Sequence, residues 1–201
     1  MLLSVYTHIL LNSRSFDLLL GNFMSANISL KLAMRRLWMD HTVYTRLYIV
    51  SAFADLADAQ AVAGRLLRNQ EDIGNAIVPY YGKDAGSKLT DLLKQHIMIA
   101  VDVVAAAKSG DQKKFAEADK RWIANADDIA GFLSSANPNW PKKDAADLLH
   151  LHLQLIKEFA TARLGKNYDE DVKKLDEYFT EGMLIADTLS EGVIKQFPNK
   201  F

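Results

Sequence analysis

From Leu30 onward the apolar residues return every three or four positions. This helical period, with no strand-like alternation to interrupt it, restricts the fold more than any other feature of the chain. Leu30, Met34, Leu37, His41, Thr45 and Tyr48 form one stripe; Leu89, Leu92, His96, Ala100 and Val103 form a second; Leu148, His152, Leu155 and Phe159 form a third. Proline stands only at 79, 138, 141 and 198, between or after the periodic segments. Gly110-Asp111 and Gly165-Lys166-Asn167 each read as a helix stop followed by a new N-cap. This punctuation predicts helices near 29–56, 59–79, 86–108, 111–136, 142–164 and 168–197, each roughly 30–45 Å long. Short connections make neighbours antiparallel. The expected fold is therefore all-α, a six-helix antiparallel bundle made of three helical hairpins.

The hairpins echo one another. Leu37-Trp38-x-x-His41 returns as Leu92-Leu93-x-x-His96 and as Leu148-Leu149-x-x-His152, so the histidines stand 55 and 56 residues apart. Asn69-Gln70-Glu71-Asp72-Ile73 returns as Asn125-Ala126-Asp127-Asp128-Ile129, again 56 residues on. In the looser third copy Asp187, in Ile185-Ala186-Asp187, is the best counterpart of Asp72 and Asp128. A period near 56 suits a hairpin with two arms of about 25 residues.

Several segments carry a resemblance: Leu37-Trp38-x-Asp40-His41-x-x-x-Thr45-Arg46, Arg65-Leu66-Leu67-x-Asn69-Gln70-x-Asp72-Ile73-Gly74-Asn75, Ala124-Asn125-Ala126-Asp127-x-Ile129, Asn137-Pro138-x-Trp140 and Lys195-Gln196-Phe197-Pro198. Together they resemble a family of small bacterial all-helical proteins, over about residues 25–201. Its members often carry acetylglutamate kinase or glycosyltransferase labels, and some carry export signals. The resemblance implies the helical fold. Both labelled activities need an α/β framework with strand-to-loop nucleotide sites, and this sequence offers neither the strands nor a Gly-rich phosphate loop.

Composition narrows the function classes. A chain of 201 residues that is 49% hydrophobic can bury its own core. It is expected to form one domain over 25–201 behind a loose N-terminal extension over 1–24. The net charge of -1 gives no general field for nucleic acid. No apolar run reaches the roughly 20 residues of a membrane span. A cytoplasmic chain is expected, with export as the alternative if residues 1–23 act as a signal segment. Cysteine is absent, which removes thiolate catalysis, cysteine zinc sites and disulfides.

The three histidines on apolar stripes demand an account. Counting residues from each turn at about 1.5 Å per residue places His41, Asp72, His96, Asn125, Asp128, His152 and Asp187 within about two helical turns of one level. Three readings of this layer stay open. In the first, one divalent transition metal (zinc, iron, manganese or nickel) is held by His41, His96 and His152, with Asp72, Asp128 and Asp187 as ligands or as partners of the ligands. In the second, the layer is a structural hydrogen-bond network in a non-enzymatic scaffold. In the third, an unidentified enzyme uses one His–carboxylate pair as a general base. No Glu-x-x-His or His-x-x-x-His pair and no Gly-x-Ser-x-Gly motif occurs.

Other features have simpler expectations. Trp38, Tyr44, Tyr48 and Trp122 are expected in the core, and Trp140, between Pro138 and Pro141, is expected to pin its loop to the bundle. Arg35 and Arg36 are expected in ion pairs, while Arg46, near the His41 stripe, is the better functional candidate. The tail, with Phe197 and Phe201, is expected to dock on the bundle or on a second copy.

Overall fold

A computed structural model describes the backbone of residues 2–201 and the side chains of residues 26–201. Six helices follow one another: α1 (Leu2–Phe53), α2 (Ala59–Tyr81), α3 (Lys83–Ser109), α4 (Gln112–Ala136), α5 (Lys142–Leu164) and α6 (Tyr168–Gln196), then a 3-10 turn over Pro198–Lys200. No strand occurs among the described residues, and no helix among them is long and apolar enough to cross a membrane. The extension expected over 1–24, and the signal segment of the export alternative, concern side chains outside the described residues.

Local chemistry sets the helix ends. Gly110 takes the left-handed conformation (φ 71°) that ends α3, and the Asp111 carboxylate accepts from the Lys114 amide at 3.0 Å to open α4. Asn167 caps α6 in the same way through the Glu170 amide. Several boundaries differ from the sequence reading: α1 runs over Leu2–Phe53 where 29–56 is expected, α3 begins at Lys83 rather than 86, and α2 continues through Pro79 to Tyr81. A proline so close to a helix end removes only one intrahelical bond. The reversal falls instead on Gly82, whose φ of 85° lets α3 begin at Lys83.

The helices close into a ring. Each packs on its sequence neighbours, α6 returns to pack on α1, and α3 also touches α1 and α5 across the middle. The odd-numbered helices, which carry the three histidines, therefore face the centre. Trp122, Tyr178, Phe159, Ile49, Ile73 and Leu153 are among the side chains sealed in the core. Where the ring is tightest, glycine replaces a side chain. A Cβ on Gly74 would lie 2.7 Å from the Gly86 carbonyl oxygen across the α2–α3 contact, and one on Gly192 would lie 2.0 Å from Trp140 Nε1. Trp140 is buried and donates to the Thr188 carbonyl at 3.1 Å, so it pins its loop as expected. The tail docks on its own bundle: Phe201 is buried and stacks on Tyr80 at 5.5 Å, and Phe197 meets Tyr81 edge-on at 5.2 Å.

Gly74→Ala tests the α2–α3 contact. Alanine in a helix interior gains about 1 kcal/mol over glycine, but here its methyl meets a backbone carbonyl that cannot swing away. A net loss of about 1–3 kcal/mol is expected, read as a melting midpoint several degrees lower. An unchanged or higher midpoint would show that the two helices are not this close.

Candidate functional site

His41, His96 and His152 lie in the interior, at 3%, 4% and 2% exposure. A bare imidazole N–H in such a place would be costly. Each ring is met by a polar side chain on the next helix, 29 residues later in every case. Gln70 Nε2 lies 3.3 Å from His41 Nδ1, Asn125 Oδ1 2.7 Å from His96 Nδ1, and Glu181 Oε2 2.7 Å from His152 Nδ1. The equal spacing follows from hairpin geometry, because a residue a fixed height below the turn on one arm faces one the same height below it on the other. Aromatic rings brace the imidazoles: Trp38 on His41 at 5.2 Å, Trp122 on His96 at 5.3 Å, and Tyr178 on His152 at 5.0 Å.

The partners assign the tautomers. Asn125 Nδ2 donates to the Leu92 carbonyl at 3.2 Å, so its Oδ1 accepts from His96 Nδ1–H and leaves the His96 Nε2 lone pair free. The Glu181 carboxylate accepts from His152 Nδ1–H, which leaves a lone pair on His152 Nε2. His41 Nε2–H points at that lone pair from 3.3 Å, and His41 Nδ1 faces the Gln70 amide nitrogen, whose two hydrogens are shared among it, the Leu66 carbonyl at 2.8 Å and Asn69 Oδ1 at 3.2 Å. The result is a one-way chain from Gln70 through His41 and His152 to Glu181. Asn69, beside Gln70, donates to the Leu37 carbonyl at 3.0 Å. In the first hairpin Asn69 makes the carbonyl bond that Asn125 makes in the second, while Gln70 meets the ring with its amide nitrogen where Asn125 meets it with its oxygen. Oε1 of Gln70 and of Glu181 and the indole nitrogens of Trp38 and Trp122 are buried without a hydrogen-bond partner.

The layer is held neutral at His41 and His96. Burial pushes the His41 pKa well below its ordinary value, helped by the nearby imidazoles of His152 and His96. Burial, with His152 adding to it, lowers His96 to about 3.

The structure corrects the sequence reading of the carboxylates. Asp72 is half exposed and lies 3.7 Å from Arg65, Asp128 is exposed, and Asp187 pairs with Arg35 through two bonds of 2.7 and 2.6 Å. A helix turns about 100° per residue. Asp72 stands about 200° round from Gln70 and Asp187 about 240° round from Glu181, so both face away from the layer; Asp128, one turn beyond Asn125 and about 60° round from it, lies at the exposed edge of that face. The sequence reading misses Gln70 and Glu181, whose signal is the constant 29-residue step from each histidine. Among the described residues no group of three or more His, Asp or Glu side chains gathers at metal-holding distance.

Arg46 is structural. It grips the buried Asp171 carboxylate through both Nη atoms, with Arg163 adding a bond of 3.0 Å. Burial works to raise the Asp171 pKa, but the bonds from the two guanidinium groups outweigh it and hold the carboxyl below its ordinary value. Arg36 pairs with Asp40 at 2.9 Å.

Against the imidazole layer lies a narrow cavity of about 40 Å³. His41, His96 and Trp122 form its inner end, and Phe53, Ala107 and Leu164 line it toward the C-terminal ends of α1, α3 and α5. Its walls between are almost wholly apolar. The one charged residue among them, Lys157, is paired with Asp119 at 2.9 Å.

The depressed imidazoles fix a pH response. A histidine with a lowered folded pKa leaves the unfolded chain with more bound protons between the two values, so stability rises with pH in that window. Stability should be full above about pH 6.5 and fall toward pH 3, with a slope of at most about 1.4 kcal/mol per pH unit for each buried imidazole. Denaturant melts at a series of pH values check this, and His96→Gln should flatten the slope between about pH 6 and 4. An unchanged slope would mean that His96 is not buried neutral. No protein-family model, curated protein or solved structure matches the chain.

Proposed function

We propose that the chain is a binding protein that holds one divalent transition-metal ion on Nε2 of His41, His96 and His152. The observation that carries this reading is the division of labour on the rings: every Nδ1 is engaged by a residue of the next helix, while the Nε2 atoms of His41 and His152 meet at 3.3 Å. That arrangement suits metal ligation, in which the second ring nitrogen is fixed by a carboxylate or amide oxygen. Two imidazoles on one tetrahedral ion at about 2.0–2.1 Å also bring their nitrogens to about 3.3–3.4 Å. Loading requires the three imidazoles, which do not stand together at metal-holding distance in this structure, to close on the ion, and it requires His41 to move its proton from Nε2 to Nδ1. Gln70 can then turn its unpartnered Oε1 to accept it. Glu181, Asn125 and Gln70 orient the rings, and Asp72, Asp128 and Asp187 have no part.

One observation favours a second reading, a scaffold with a structural layer: the His41–His152 bond already closes the hydrogen-bond chain without an ion. Elemental analysis of protein purified without a His-tag separates the two. The metal reading expects close to one equivalent of zinc, iron, manganese or nickel, lost in His152→Ala and in His41→Ala, together with a melting midpoint that rises on adding the ion. The scaffold reading expects no stoichiometric metal and no such rise. It also expects Glu181→Ala to cost about 1–3 kcal/mol by stranding the His152 N–H. A metal content unaltered in both histidine variants would sink the proposed site.

A further inference from the structure

The axial cavity has features that the metal reading does not need. It ends on His96, whose Nε2 lone pair is free and whose side chain is buried. From His96 to Ala107, both lining residues of α3, is about 16 Å at 1.5 Å per residue. The space is small. On the same measure a water molecule needs about 10–15 Å³, so about 40 Å³ holds only a few atoms. The walls carry no unpaired charge, and an ion entering would lose its hydration for nothing in return.

We propose that this cavity admits one small uncharged molecule, no larger than methanol or a diatomic gas, to the Nε2 face of the imidazole layer, and that it refuses ions. In the metal-free chain the visitor lies against the His96 lone pair, to which a hydroxyl donates. In a chain that held a metal on these imidazoles the visitor would reach it from this side of the layer; this last step alone rests on the metal reading. The chemistry of the walls selects by size and charge before the imidazoles are reached.

Xenon and methanol are the probes for the full-length metal-free chain, read by methyl NMR. Both should shift the methyls of Ile97, Ala100 and Val104, while acetate and ammonium at equal concentration should not. Ala100, one helical turn beyond His96 and on the cavity wall, is the place to block it: Ala100→Leu should abolish the shifts. Ala107→Leu, near the end of α3, should weaken them and serves if Ala100→Leu folds poorly. In protein loaded with manganese(II), the methanol methyl protons should relax faster, and about tenfold less so in the blocked variant at equal metal content. Shifts scattered over the surface, or unchanged in both variants, overturn the proposal. If manganese fails to load while xenon still finds the cavity, the metal reading falls and the admission of small uncharged molecules stands.

Discussion

A buried imidazole inside an apolar core is tolerable only if its polar ring nitrogens are met, and the geometry of this protein follows from meeting that condition three times. A stranded buried donor costs about 1–3 kcal/mol, a large part of the stability of a small domain. Each hairpin engages its histidine with the residue 29 positions later. That pairing fixes register as well as energy. Sliding one arm by a single residue would turn its partner by about 100° away from the ring. Three arms locked at one height bring the odd-numbered helices together on the axis and leave the even-numbered ones to close the ring around them.

The remaining interactions serve that arrangement. Asp171, held by Arg46 from α1 and Arg163 from α5, ties three helices together on one buried carboxylate. The paired glycines 74 and 86 let α2 and α3 approach closely. At the other end of the bundle Tyr81 accepts from Asn137 at 2.8 Å and donates to Gln196 at 2.7 Å, and burial pushes the pKa of its hydroxyl up to about 12. The tail closes over this end. The cavity lies on the opposite side of the layer, between the inner helices, where side chains as small as Ala100 and Ala107 leave space.

Most of the fold is legible in the sequence because helix period, glycine stops and side-chain caps are local signals. The predicted limits of α5 match the structure, and those of α4 and α6 differ by one residue. Pro79 misleads because proline reads as a terminator, whereas near a C-terminus it removes a single bond that the helix can spare. The histidines stand out because a polar residue on an apolar stripe is conspicuous. Of their partners only Asn125 does; Gln70 and Glu181 do not, because the Asn-x-x-Asp echo draws attention to carboxylates, and it aligns the repeat through Asn69 where the first hairpin sets Gln70 against the ring. Which residue of a helix faces a neighbour depends on its angle about the axis, and only the three-dimensional pairing settles that to within one residue. The cavity has no sequence signal at all, since it is made of space that side chains on several helices leave unfilled.

The most direct test of the account is the protonation of the ring nitrogens, read by ¹⁵N NMR on histidine-labelled, metal-free protein at neutral pH. His96 and His152 should carry their proton on Nδ1 and His41 on Nε2, and a bound divalent metal should move the His41 proton to Nδ1. A charged His41 or His96, or rings that exchange freely between tautomers, would contradict the interior layer on which the whole account rests.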